Sequence, residues 1–226
     1  MESLPEYSVY RSKRKSIRIV LRQNGTFAVY CPKRCPVKDI EAALSRHHKQ
    51  MRDKFNLRAD ILFAPDNGEG SLPLLGKRYP LTYGTVKKLV FDGERFISPT
   101  ADREEVRLQY RELLRKKAKE ILPAMASETA EKFGLTFCGI SVKAIYSRYG
   151  SCSSKKHLNF SLALAAFNEE FIRFVVCHEL CHTAHMDHSA SFYAMLDRLC
   201  PDHRRIKSEG GAERSAILKG IHFSPA

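Results

Sequence analysis

The chain has 226 residues, 43% of them apolar and 28% charged, which suits one large domain or two small ones with buried cores and argues against intrinsic disorder. Its longest apolar runs, such as FIRFVVC, fall far short of the roughly 18 residues of a membrane span, and MESLPEYSVYRSKRK lacks the apolar stretch of a signal peptide, so a cytoplasmic protein with no membrane partner is expected. A net charge of +13 favours polyanionic partners such as nucleic acid or nucleotides, and seven scattered cysteines fit reduced thiols better than a disulfide framework.

In chain order, KSIRIVLRQNGTFAVY alternates Ile17, Ile19 and Leu21 against Ser16, Arg18 and Arg22 and breaks at Asn24-Gly25, which predicts an antiparallel hairpin. Residues 37–56 place Ile40, Leu44, His47, Met51 and Phe55 at helical spacing, with Asp39 and Glu41 near the positive end of the helix dipole. APDNGEGS at 64–71 reads as a loop. Short strands are expected around KRYPLTYG and in KKLVFDGERFIS, the latter turning at Asp92-Gly93. From residue 101 Val106, Tyr110, Leu113, Leu114, Ile121 and Leu122 predict a helix, which Pro123 should break or kink before a second stretch to Phe133. Beyond Gly134 the runs ISVKAIY and LNFSLALA flank the turn-like GSCSSKKH. A helix then opens at Asn168, a residue suited to the N-cap, with Glu169 and Glu170 in its first turn.

That helix carries CHELCHTAHMDH. His178 and His182 are i and i+4, so both imidazoles share one face and reach a single tetrahedral ion with Zn–N distances of roughly 2.0–2.1 Å. Glu179, between them in sequence and poorly placed to be a ligand, is suited to take a proton from a metal-activated water. For the third ligand, His185 on a continuing helix would lie roughly 10 Å along the axis from His178, too far to share the ion. His188 repeats the span from first to third ligand of HExxHxxGxxH sites. It folds back if the helix ends near 184–187, aided by Asp187 in a left-handed conformation. His185 then sits beside the site or lines the cleft.

These residues resemble the YgjP-like metallopeptidase family, zincins related to the SprT and WLM proteases. The resemblance rests on YGSCSSKKHLNFSLAL, FVVCHELCHTAHMDHSASFY and CPDHRR, and more loosely on YRSKRKSIRIVLRQNGTFAVYCP and LLGKRYPLTYG. Tyr149 and Tyr193 stand where the family has Trp, and Asp187 where it has Asn. The resemblance implies one zinc ion held by His178, His182 and His188, with Glu179 as general base. Arg148, Tyr149 and Tyr193 are candidate contacts to substrate or transition state. Arg148 either stabilises negative charge developing on a carbonyl or phosphoryl oxygen or is a surface residue on a turn. His203 is either a donor to a bound intermediate or part of a solvated helix end beside Arg204 and Arg205. Cys152, Cys177 and Cys181 read as buried thiols rather than ligands.

The expected fold is α+β. Residues 1–100 form a mostly antiparallel β-rich part with a helix, 101–134 connecting helices, and 135–226 a zincin-like catalytic part with the HExxH helix beside a short sheet. The expected function is zinc-dependent hydrolysis of peptides. Two rivals follow from the charge: a metal-dependent nucleotide pyrophosphatase, and a DNA-associated protease or binding module.

Overall fold

The computed structural model describes residues 4–21, 26–62, 65–66, 69–145 and 147–221. It is α+β, as the sequence predicts, and divides into two compact units, one taking the chain to Asp60 and the other starting at Ile61.

In the first unit the strands are β1 (Tyr7–Ser12), β2 (Arg18–Leu21) and β3 (Phe27–Pro32), followed by helix α1 (Val37–Leu62). β2 and β3 pair antiparallel with Ile19 opposite Val29, and β1 adds parallel to the other edge of β3. The Asn24-Gly25 turn expected between β2 and β3 lies outside the described residues. Ile40 and Leu44, one helical turn apart, close a small core with Phe27, Val29, Cys31 and Cys35. The apolar face was expected to continue through His47, which is exposed; Ala43 takes the buried position instead. The side chains of Met51 and Phe55 lie outside the described residues.

The second unit opens with β4 (Pro65–Asp66), β5 (Glu69–Leu74), β6 (Lys77–Tyr83), β7 (Val90–Phe91) and β8 (Phe96–Ser98) in the order β4-β5-β6-β8-β7. The loop expected over 64–71 is instead partly sheet, with Pro65 opposite Gly70. Pairing of Ser71 to Leu74 with β6, which buries Leu72 and Leu74, outweighs the turn-forming composition. Helix α2 (Arg103–Phe133) is capped by the Asp102 carboxylate, which accepts from the N–H groups of Glu104 and Glu105, and is closed by Gly134 at φ 66°. Val106, Tyr110, Leu114, Ala118, Leu122, Ala126 and Ala130 form its buried stripe.

Of the break or kink expected at Pro123, the break does not occur: α2 runs through the proline. A proline inside a helix costs about 3 kcal/mol, and each fully buried leucine-sized side chain returns about 1.5–3 kcal/mol. Leu122, Met125 and Ala126 on either side of Pro123 are all buried in a helix that packs on the 3-10 turn and α3, so burial prevails.

The remaining elements are β9 (Gly139–Lys143), β10 (Gly150–Cys152), β11 (His157–Ser161), a 3-10 turn (Leu162–Ala166), α3 (Glu169–Cys181), α4 (Ala190–Leu199), α5 (His203–Ser208) and α6 (Gly211–Ile221). β10 pairs antiparallel with β11, which pairs parallel with β9. LALAA, read with LNFS as one apolar run, turns into the 3-10 segment because the Ser161 side chain caps it by accepting from the N–H of Ala163. The β5–β6 turn docks here: the N–H groups of Leu75 and Gly76 donate to the carbonyls of Ala165 and Ala166 at 2.9 and 3.1 Å. Gly76 has φ +81°, and a Cβ on it would lie 2.5 Å from Cβ of Asn168, so this turn closes over the cap of α3 only with glycine. No helix among the described residues is long and apolar enough to cross a membrane.

Candidate metal centre

Helix α3 starts where Asn168 accepts a hydrogen bond from the Phe171 N–H at 2.9 Å, with Glu169 and Glu170 in the first turn. Phe171, Val175, Val176, Leu180 and Cys181 are buried, and His178 and His182 emerge on the remaining face. The helix ends at Cys181, earlier than the expected 184–187. Thr183 and Ala184 donate to carbonyls three residues back, at 2.9 and 3.1 Å, and the Thr183 hydroxyl also donates to Leu180 O, tightening the last turn. Asp187 was expected to turn the chain in the left-handed region; it does not, because the tightened turn has already redirected the backbone, and Leu75 and Lys156 are the non-glycine residues with positive φ among those described.

After this turn His188 comes back to the helix. One nitrogen from each of His178, His182 and His188 lies within 4.8 Å of the others, and the Nε2 atoms of His178 and His188 are 3.2 Å apart. Two nitrogens bound to one tetrahedral ion at 2.0–2.1 Å are separated by roughly 3.3 Å, so the spacing suits a shared ion. Nδ1 of His182 donates to the backbone carbonyl of His185 at 2.9 Å, which fixes the tautomer and leaves Nε2 as the lone pair. His185 therefore meets the site through its main chain. The ring of Phe192, fully buried on α4, lies 5.0, 4.6 and 4.8 Å from the centroids of His178, His182 and His188 and forms a common floor for the three imidazoles.

Glu179 is 5% exposed, and its Oε2 has no hydrogen-bond partner among the described residues. Burial pushes its pKa up to about 7 against the pull of Arg148. It sits against Gly150: a Cβ there would lie 2.7 Å from Cγ and Oε1 of Glu179. Burial also holds His178 neutral, its pKa lowered to about 4, with His182 and His188 adding to the effect. The pKa of His182 is lowered by burial too. Three imidazoles beside a buried carboxylate with an oxygen unpartnered among the described residues are a donor set that suits a divalent ion with an activated water.

The other candidate residues fall on two sides. Arg148 and Tyr149 line a cavity of about 360 Å³ together with His178, Glu179 and residues of α5 and α6. Tyr149 packs edge-on to Phe167 and Phe171 at 5.6 and 4.9 Å. Tyr193 lies 6.3 Å from both His188 and His203. His203 is not in a solvated helix end: it is 3% exposed, because its Nε2 donates to Asp197 at 2.8 Å under the Tyr193 ring. Arg205 pairs with Glu170 and with Glu209. Cys177 and Cys181 are buried, and desolvation raises both thiols to about 12, which keeps them protonated.

Four residues of this site escaped the sequence. Phe192 carried a local signal, one helical turn after His188, and Gly150 a weaker one in RYGSC. Lys207 and Arg214 line the cavity only because α5 and α6 fold back beside α3, which no local pattern announces.

The family model described as YgjP-like, metallopeptidase domain, matches residues 15–209. Among solved structures, the metallopeptidase zymogen abylysin of Pyrococcus abyssi is similar at 15% identity and a TM-score of 0.38, over 41% of this chain and 94% of that one. No curated protein matches the chain.

Proposed function

The chain belongs to the YgjP-like metallopeptidase family, and on that premise we propose that it is a zinc-dependent peptidase in which His178, His182 and His188 hold the ion and Glu179 is the general base. The observation that carries the proposal is the convergence of the three imidazole nitrogens beside a buried carboxylate whose Oε2 has no partner among the described residues. Zinc, when bound, supplies Lewis acidity that brings the pKa of water to near 7 and polarises a carbonyl. The chain's own groups do the rest. Glu179, its pKa already raised to about 7, accepts the proton of the attacking water and returns it to the leaving amine. His185 O orients His182, and Phe192 keeps the three rings in register. Arg148, which lines the same cavity, stabilises negative charge developing on the carbonyl oxygen.

Glu179→Gln tests this. The variant is expected to bind zinc at the wild-type stoichiometry and to lose cleavage of casein and peptide pools by about 10²–10⁴-fold, the span of general acid–base catalysis. Undiminished turnover would remove Glu179 from the mechanism. Nucleoside triphosphates in the same screen address the rival substrate: pyrophosphate release without peptide cleavage would replace the peptidase reading.

A further inference from the structure

The cavity beside the metal centre has an uneven charge distribution. Arg148 approaches from the segment before β10, Lys207 from α5 and Arg214 from α6, and the one acid among the lining residues is Glu179 itself. Among the described residues, none of the three cations has a carboxylate within ion-pair distance, unlike Arg205 close by. Arg214 is also held in place. Its Nη2 donates to the carbonyls of Ile206 and Lys207 at 2.7 and 3.2 Å, and its guanidinium carbon lies 4.0 Å over the Phe171 ring. Nε and Nη1 carry no partner among the described residues, so a planar donor fork is preorganised. Between the cations the walls are apolar, formed by Tyr149, Phe171, Phe174 and Val175.

We propose that this cavity is a specificity pocket for a carboxylate, carried by the substrate residue next to the scissile bond. The inference rests on the peptidase reading and names the substrate class within it. An acidic residue matches both features of the pocket, with methylenes against the aromatic walls and a planar anion at Arg214 and Lys207. A C-terminal residue offers the same chemistry through its terminal carboxylate. A polyphosphate would saturate the cations and leave the apolar walls without a partner.

The test uses the full chain loaded with zinc and short alanine-based peptides carrying a central Glu, Gln or Lys, each with a free or an amidated C-terminus. Binding is measured on Glu179→Gln, so that it does not depend on turnover, and cleavage on the wild type. A Glu peptide or a free C-terminus is expected to bind about tenfold more tightly than its neutral counterpart, the scale of one charge-assisted contact. Added to Glu179→Gln, Lys207→Met and Arg214→Met should each erase that preference, and Arg95→Ala, on the β7–β8 hairpin, should keep it. Lys207 is exposed, so its variant stays informative if Arg214→Met fails to fold. Preference that survives amidation assigns the pocket to an acidic side chain, and preference confined to free termini assigns it to the terminal carboxylate. Equal binding of Glu, Gln and Lys peptides with both kinds of terminus would overturn the proposal, as would tripolyphosphate binding that the same variants weaken while peptides show no preference. Preferential binding without any wild-type cleavage would remove the peptidase reading and leave the pocket, whereas cleavage without preference would remove the pocket alone.

Discussion

Gly150→Ala should disable the centre without emptying it. The added methyl would stand 2.7 Å from Cγ and Oε1 of Glu179 and 2.9 Å from Cδ. Ordinary carbon contacts begin near 3.5 Å, so the carboxylate or strand β10 must give way by about 0.8 Å. Glu179 is 5% exposed, and the open space beside it is the cavity it lines, so yielding to the methyl means leaving its place beside the histidines. Overpacking of this kind costs about 1–3 kcal/mol of stability, and a displacement of about 1 Å at a reacting group costs about 10²-fold in rate. The three imidazoles stand on α3, on the turn after it and on the Phe192 floor, whereas the three atoms nearest the new methyl all belong to Glu179. Zinc content by elemental analysis, thermal unfolding and peptide hydrolysis, measured together, read the three consequences separately. The expected result is full zinc, a lowered Tm and about a hundredfold loss of kcat. Wild-type kcat with wild-type zinc would refute the idea that β10 positions the base.

Three further outcomes follow from the same geometry. His188→Ala should lose stoichiometric zinc and His185→Ala should retain it, because His185 contributes its carbonyl and not its ring; equilibrium dialysis distinguishes them, and full zinc in His188→Ala would overturn the ligand set. In the metal-free protein Glu179, raised from 4.5 to about 7, adds stability that is complete below pH 4.5 and is lost as pH rises through 7, a span of about 3 kcal/mol. Denaturant titrations of metal-free wild type and Glu179→Gln should therefore diverge across that window in favour of Gln, and parallel curves would count against the raised pKa. Asn168→Ala removes the cap of α3 and should cost about 1 kcal/mol in the same titration, and an unchanged midpoint would mean the capping bond contributes nothing.

What was legible in the sequence was local. The i, i+4 pair His178 and His182, the cap at Asn168 and the return of His188 depend on helix geometry within some twenty residues, and the structure brings these groups together where spacing put them. The early end of α3 depends on hydrogen bonds from Thr183 and Ala184 that a periodicity argument does not weigh. The uninterrupted α2 and the strand over Glu69–Leu74 reflect tertiary burial and pairing that outweigh a proline and a turn-like composition. Lys207 and Arg214 lie 29 and 36 positions beyond His178 in the chain, and their approach to the cavity is a property of the packed C-terminal helices.

The seat of Gly76 on the cap of α3 has a consequence for the genetics of this fold. A fragment beginning after residue 100 would contain every side chain of the histidine cluster and its carboxylate, yet would leave the carbonyls of Ala165 and Ala166 bare and the first turn of α3 without its roof. CHELCHTAHMDH is thus not a cartridge that travels alone. Recombination that separates the Leu75-Gly76 hairpin from the histidines would transplant the cluster and leave behind part of what holds it still.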